Sequence, residues 1–277
     1  MTEKREWCLA AENELRFEAS ESDQFVIRLV EGNAEIFGVE MVLNKDYTFS
    51  DENIAVFTWY GCKVVEISGT CKIAYVSGDT PMIAIVNAHG LLEAKRDVAL
   101  ANSEKGPRVM IVGPPDSGKS TMAKILATYA VRLDRTPVFV DLDVSKGSLA
   151  VPGALCACVL DRSFLNISDD SASTMPLSYF YGHASPKANS ELYRSLVTVM
   201  GAKINERMKN DPDTSAAGMI IDTHSWADTN DLEGILHCTK ALDVDVILVT
   251  DDRLYSTLKP NLENSTVVVA KLPRSGG

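Results

Sequence analysis

The sequence has no apolar run near the ~18 residues that a membrane-spanning helix needs. No apolar core follows Met1–Trp7 (MTEKREW) as a secretory signal would require. Neither membrane insertion nor secretion is expected. Its six cysteines, Cys8, Cys62, Cys71, Cys156, Cys158 and Cys238, include no C-x-x-C pair. They are too sparse for a zinc ribbon or a disulfide framework, so the expectation is reduced, mostly buried thiols in an intracellular protein. Positive charge is also short, with 27 Lys+Arg against 38 Asp+Glu and a formal net charge of −11. A protein that coats nucleic acid must displace counterions with excess cation. That class is excluded, whereas a local groove gripping one strand end is not. Repeats and low-complexity tracts are absent. What remains is ordinary globular composition, 45% hydrophobic and 23% charged, in 277 residues, enough for about two domains at roughly 150 residues each.

The first third reads as short strands at close spacing. Leu15–Phe17, Phe25–Leu29, Ala34–Phe37, Tyr47–Phe49, Ala55–Thr58, Lys63–Ile67 and Met82–Val86 are rich in β-branched and aromatic residues. Turn residues such as Gly32-Asn33 and Gly78-Asp79-Thr80-Pro81 separate them. This spacing predicts a small antiparallel sandwich over residues 1–89. Residues 90–106 have helical periodicity and break at Gly106-Pro107, which predicts a connecting helix. From 107 to 277 apolar runs (Arg108–Val112, Val138–Val140, Met219–Ile221, Val244–Val249, Thr266–Val269) alternate with amphipathic segments (Lys119–Leu133, Ser190–Asn210, Leu232–Leu242). That alternation predicts an α/β fold with a doubly wound parallel sheet.

Between the first of these runs and the first helix stands Gly113-Pro-Pro-Asp-Ser-Gly-Lys-Ser120-Thr121. It matches G-x-x-x-x-G-K-[ST] in the strand–loop–helix context that makes the pattern meaningful. Pro114 and Pro115 offer no amide hydrogen. The donors for a phosphate must therefore come from Asp116, Ser117, Gly118, Lys119, Ser120 and Thr121, where the helix start favours an anion. Gly118 removes a β-carbon at the closest approach, Lys119 supplies a point charge for the β/γ-phosphates, and the Ser120 hydroxyl suits Mg²⁺. The pattern predicts nucleoside triphosphate binding in a P-loop NTPase-like domain.

Asp141 and Asp143 end the second apolar run, two residues apart and so on one face, at the end of the sheet where such folds bind ligands. Either could hold hydrated Mg²⁺ or take a proton from an attacking hydroxyl, with Asp143 preferred, or could simply cap the strand. Asp222 ends a further run and is a candidate magnesium ligand. Trp226, just past it, is either a packing residue or a stacking surface for a nucleobase. His183 and His224 lack helical metal spacing, and His89 and His237 are isolated.

Taken together, several strings resemble the Clp family of polyribonucleotide 5′-hydroxyl kinases. They are Glu14-Leu-Arg-Phe, Ala34-Glu-Ile-Phe-Gly38, Ala55-Val-Phe-Thr-Trp59, the phosphate loop, Asp141-Leu-Asp-Val, Val151-Pro-Gly153, Asp222-Thr-x-x-Trp226 and Arg253-Leu-Tyr255. The resemblance implies a nuclear subunit of the pre-mRNA 3′-end cleavage machinery, with the other subunits of that complex and, in animals, the tRNA-splicing endonuclease as partners. It implies ATP and Mg²⁺ as cofactors and an RNA 5′ end as substrate. Glu14 in the β module would touch the nucleotide, Asp116–Thr121 would hold the phosphates, Asp143 would deprotonate the RNA 5′-hydroxyl and Trp226 would clamp the terminal base. The family usually has lysine at a nucleotide-binding position that aligns with Asn53. It has Gly-Gln where this chain has Ser145-Lys146, threonine where it has Ala184, and glycine where it has Ser225. The family also continues past the final Ser-Gly-Gly string into lid arginines and a third domain. Phosphoryl transfer leans on arginine-type charge stabilisation. Three readings therefore stay open: an RNA 5′-hydroxyl kinase, an ATP-binding scaffold subunit without turnover, and a P-loop ATPase or small-molecule kinase unrelated to RNA.

Overall fold

The computed structural model describes residues 5–21, 24–147, 149–167, 176–226 and 231–274. The chain divides into two compact units, Met1–Thr80 with Asn166–Asp170, and Pro81–Leu165 with Ser171–Gly277. Among the described residues no helix is long and apolar enough to cross a membrane.

The first unit contains β1 (Glu6–Leu9), β2 (Asn13–Ala19), β3 (Phe25–Gly32), β4 (Glu35–Ile36), β5 (Val39–Glu40), β6 (Asp46–Phe49), β7 (Asn53–Thr58), β8 (Cys62–Ser68) and β9 (Cys71–Ser77). They form two antiparallel sheets, ordered β1-β8-β3-β6 and β5-β4-β7-β2-β9. Alternation does the work here. In β2, Leu15, Phe17 and Ala19 turn inward, and in β3, Phe25, Ile27 and Leu29 do the same. The two inner faces meet where the Phe17 ring packs edge-on against Phe25 (4.9 Å) and Phe49 (5.5 Å) across the sandwich. Strand β9 escaped the sequence reading because Ile73, Tyr75 and Val76 are all exposed, so this edge strand lacks the in–out alternation that marks a strand.

The second unit contains α1 (Met82–Asn102), β10 (Arg108–Val112), α2 (Lys119–Arg132), β11 (Val138–Asp141), β12 (Ala154–Val159), β13 (Leu177–Phe180), α3 (Ser190–Lys209), α4 (Pro212–Ala217), β14 (Met219–Asp222), α5 (Leu232–Ala241), β15 (Val246–Val249), α6 (Asp252–Leu262) and β16 (Val268–Lys271). One expected strand is corrected. Met82–Val86 is the start of α1, not a strand. A five-residue apolar run fits either element, and burial of Met82, Ile85, Leu92, Arg96 and Ala99 follows the helical period.

The sheet runs β13-β12-β11-β14-β10-β15-β16. From β11 to β16 the pairings are parallel, as expected. The two strands at the other edge, β12 and β13, are antiparallel and were not foreseen. Among the described residues no α-helix separates β11, β12 and β13, and antiparallel neighbours need no crossover helix. Strand β10 lies between β14 and β15 and is buried along its length. The chain leaves it through α2 to reach β11 on one side, while β15 lies on the other. The crevice beyond its carboxyl end is thus a topological switch point, where such sheets bind ligands.

Candidate functional site

The phosphate loop leaves β10 at Gly113. A β-carbon there would sit 1.9 Å from Thr250 Oγ1 and 2.9 Å from Ser117 Oγ, so any side chain at this position would displace both hydroxyls. Thr250, following β15, donates its hydroxyl to Ser117 Oγ at 2.8 Å, and Ser117 donates to the Pro114 carbonyl at 2.9 Å. These bonds hold the loop's curvature. Asp116 (φ +53°) and Gly118 (φ +80°) both adopt left-handed backbone. Gly118 starts α2, whose first intrahelical bond runs from Met122 N to the Gly118 carbonyl at 2.9 Å. The amides of Lys119, Ser120 and Thr121 precede that bond and are the orphan donors of a helix start, the physical basis of an anion site.

Lys119 is 5% exposed, and burial lowers its pKa from the usual lysine value. Its ammonium donates to the Pro114 carbonyl at 2.8 Å and to Ser225 Oγ at 3.2 Å. The cation is therefore held at the loop by neutral oxygens, beside the Asp222, Asp143 and Asp116 charges.

The two strand-end aspartates divide the work. Asp141 Oδ1 accepts the Asp143 amide at 2.8 Å and so shapes the turn. Asp143 Oδ1 accepts the Ser145 amide (3.1 Å) and hydroxyl (2.6 Å) and lies 3.0 Å from His224 Nδ1. An ionised carboxylate only accepts, so that imidazole nitrogen carries the proton. Burial acts to raise the Asp143 pKa, but the bonds from His224 and Ser145 overcome it and hold the carboxyl at about 2. The intervening Leu142 is clamped from both sides: its amide donates to the Asp222 carbonyl (2.9 Å) and its carbonyl accepts the Tyr193 hydroxyl from α3 (3.1 Å).

Asp222 differs. Register places it directly beside Asp141 and Ile111, and burial pushes its carboxyl up to about 7 against the Ser120 hydroxyl that hydrogen-bonds it. Its Oδ1 has no hydrogen-bond partner among the described residues. A buried orphan carboxylate oxygen beside a phosphate-loop hydroxyl is a donor set that suits a hard cation such as Mg²⁺. Among the described residues no cluster of three His, Cys, Asp or Glu side chains could cage a metal alone, so an ion there would need further oxygens from a phosphate or water.

The remaining expected residues fall elsewhere. The Trp226 amide donates to the Gly113 carbonyl at 3.1 Å, which draws its indole into the core, where it is 3% exposed. In this conformation Trp226 therefore takes the packing position, the first of its two expected readings. Residues 227–230 lie outside the described residues. Glu14 and Asn53 belong to the sandwich unit. Glu14 is bonded to Arg16 and accepts the Thr80 hydroxyl at 2.8 Å, and Asn53 opens β7 exposed to solvent. Glu14 pairs with Phe57 and Asn53 with Glu18, four residues along the ladder or about 13 Å, so the two do not converge on one point.

The sequence reading missed the parts that Ser145, His224, Ser225 and Thr250 play. Ser145, two residues beyond Asp143, had a local signal, the Asx-type turn. The other three reach their partners only through the fold.

Residues 113–277 match the family described as the mRNA cleavage and polyadenylation factor CLP1 P-loop, and residues 8–99 match the N-terminal beta-sandwich domain of polyadenylation factor. The chain is 41% identical over 271 residues to polyribonucleotide 5′-hydroxyl-kinase Clp1 of Homo sapiens, covering 97% of this chain and 63% of that protein. It is 41% identical over 280 residues to the Nematostella vectensis protein CLP1 homolog, covering 99% and 65%. A solved Clp1p–Pcf11p complex has the same fold, with a TM-score of 0.86 at 22% identity over all of this chain and 68% of that one. The chain therefore spans just under two thirds of the length of these curated relatives.

Proposed function

The chain belongs to the CLP1 family of mRNA cleavage and polyadenylation factors, and from that premise we propose that it phosphorylates RNA 5′-hydroxyl ends with ATP as a nuclear subunit of the cleavage complex. Its 41% identity to a protein named a polyribonucleotide 5′-hydroxyl-kinase supports the reaction. The solved complex with Pcf11p supports a partner of that kind. The observation that carries the reading is the meeting of three things at the carboxyl end of the sheet: the orphan amides of α2, the Lys119 ammonium and the Asp143 carboxylate.

In this reading the amides of 116–121 cradle the triphosphate, and Lys119 leaves the Pro114 carbonyl and Ser225 for the β/γ-phosphate oxygens. Mg²⁺, held by Ser120 and Asp222 with Asp143 nearby, would supply charge neutralisation on the phosphates when bound. Asp143 orients the RNA 5′-hydroxyl and takes its proton as the new oxygen–phosphorus bond forms and the bond from the γ-phosphorus to the β–γ bridging oxygen breaks, releasing ADP. Its three described donors all fall on Oδ1, so Oδ2 carries none of them.

A second reading, an ATP-binding scaffold subunit without turnover, draws on one observation. A carboxylate held at about 2 is a weak base, far from the near-neutral value that favours proton transfer. Incubation with γ-labelled MgATP and a 5′-hydroxyl RNA oligomer separates the two. Label in the RNA with wild type but not with Lys119→Ala supports the kinase, and ATP retained without transfer supports the scaffold.

A further inference from the structure

The three described donors to Asp143 are not equivalent. The Ser145 amide (3.1 Å) and hydroxyl (2.6 Å) belong to the same turn as the carboxylate they hold, so they travel with it if the turn shifts. His224 Nδ1, at 3.0 Å, comes from beyond β14, 81 residues away in sequence. Among the described side-chain hydrogen bonds it alone ties this carboxylate to another strand. The string that carries the family resemblance, Asp222-Thr-x-x-Trp226, leaves position 224 open.

The imidazole is firmly mounted. Before it in the chain, Thr223 is fully buried and donates its hydroxyl to the Ile111 carbonyl of β10 at 2.6 Å. After it, the Trp226 amide donates to the Gly113 carbonyl at 3.1 Å, with the indole in the core. The Leu142 amide donates to the Asp222 carbonyl at 2.9 Å, so the two segments that carry the pair are also joined through their backbones. The His224 side chain is 18% exposed and that of Asp143 3%, which leaves little water to compete for the bond. Nδ1 donates in the neutral tautomer that carries its proton there and in the imidazolium alike. The hold therefore does not depend on the charge of the ring.

That hold opposes an attraction. Lys119 lies within reach of the Asp143 charge, and opposite charges attract far more strongly in a buried site than in water. An ion pair between them would draw the ammonium away from the phosphates and cover the proton acceptor. Instead the ammonium is bonded to the Pro114 carbonyl and Ser225 Oγ, and the carboxylate is bonded through Oδ1 to His224 and Ser145. A carboxylate fixed by one oxygen presents the other in a defined direction, as proton transfer from a bound hydroxyl requires.

We propose that His224 is a positioning residue for phosphate transfer: its imidazole keeps the Asp143 carboxylate off the Lys119 ammonium and leaves Oδ2 for the RNA 5′-hydroxyl. The inference rests on the kinase reading of the site. His224 touches no reacting atom in it and acts through Asp143.

Two measurements on the whole chain test this role. The first needs no turnover: crystal structures of wild type, His224→Leu and His224→Asn. Leucine fills the space without a donor, whereas the asparagine amide nitrogen stands near the place of Nδ1. The Asp143 carboxylate is expected to swing to Lys119 in His224→Leu and to stay in place in His224→Asn. An unmoved carboxylate in His224→Leu overturns the inference.

The second is steady-state transfer of labelled phosphate to a 5′-hydroxyl oligomer. His224→Leu is expected to lower kcat by about 10²-fold, the cost of misplacing a reacting group by about 1 Å, with KM for ATP within a few-fold of wild type. His224→Asn recovers most of the loss, and His224→Leu costs nothing further in Asp143→Asn, because the two residues act as one unit. A kcat for His224→Leu equal to wild type overturns the inference, as does a full further loss in Asp143→Asn or no recovery by asparagine. His224→Gln, whose nitrogen stands nearer the place of Nε2, replaces the leucine variant in both measurements if that variant does not fold. Wild type that transfers no label contradicts the kinase reading, and the crystal structures then decide by themselves whether His224 sets the carboxylate.

Discussion

The two units treat buried charge in opposite ways. In the sandwich the core cluster is apolar, and Glu14, one of its few buried charged groups, is matched to Arg16 and Thr80. In the second unit the sheet end buries Lys119, Asp141, Asp143 and Asp222 together. There one carboxyl is held down at about 2, another is pushed up to about 7, and one of its oxygens has no hydrogen-bond partner among the described residues. Burying ionisable groups costs stability unless each is paired. The sandwich avoids that cost, whereas the P-loop unit carries it at one place, where perturbed groups most often mark chemistry. All four histidines also lie in the second unit.

The largest expected effect bears on the charged end of the sheet. Asp143→Asn keeps the size of the side chain but removes the proton acceptor. Phosphate transfer to a 5′-hydroxyl oligomer should fall by about 10²- to 10⁴-fold, with ATP affinity changed far less. Transfer within a few-fold of wild type would remove Asp143 from the reaction and weaken the contrast between the units.

Next comes a pH effect on stability that belongs to the second unit. His89, in α1, has a buried Nδ1 without a hydrogen-bond partner among the described residues and faces Tyr129. Burial, reinforced by Arg96 and Arg132 and opposed by Glu93, lowers its pKa from 6.5 to about 4. Between those values the unfolded chain binds the extra proton and the folded chain does not. The stability is thus full above about pH 6.5 and is lost as pH falls toward 4, by about 3 kcal/mol at 1.36 kcal/mol per unit. Urea unfolding of wild type and His89→Gln from pH 7 to 4.5 checks this, and parallel curves for the two proteins would refute it.

A smaller effect probes the sandwich. Glu14→Ala leaves Arg16, largely buried, without its carboxylate, and should cost about 1–3 kcal/mol. Unfolding of wild type and variant at one pH measures it. A loss of ATP affinity beyond that expected from unfolding would bring Glu14 into the nucleotide site and blur the division between structural and chemical charge. The smallest effect is that of Tyr193→Phe, which removes the hydroxyl bond to the Leu142 carbonyl and should cost about 0.5–1.5 kcal/mol. If that turn positions Asp143, transfer falls with it, and an unchanged rate would show the turn to be held by its other bonds.

What could be read in advance follows from the range of each interaction. The phosphate loop is a local string, so Gly113 to Thr121 were legible, as was the alternation that makes β2 and β3. The start of α1, Met82–Val86, differs from expectation because five apolar residues fit a strand or a helix equally well. Strands β12 and β13 were missed because no helix announces them. The side-chain pairings needed the fold: Asp143 meets His224 81 residues later, Lys119 meets Ser225 across 106, and Thr250 reaches Ser117 across 133. The burial of Trp226 has the same origin, a hydrogen bond from its amide to the Gly113 carbonyl that no local pattern encodes.

The central claim is that the loop beyond β10 binds a triphosphate, and calorimetric titration of the whole chain with MgATP tests it most directly. Wild type is expected to show saturable one-to-one binding that weakens by about 10²-fold or more in Lys119→Ala. Heats that show no saturation at millimolar ATP, or equal affinities for the two proteins, would contradict it.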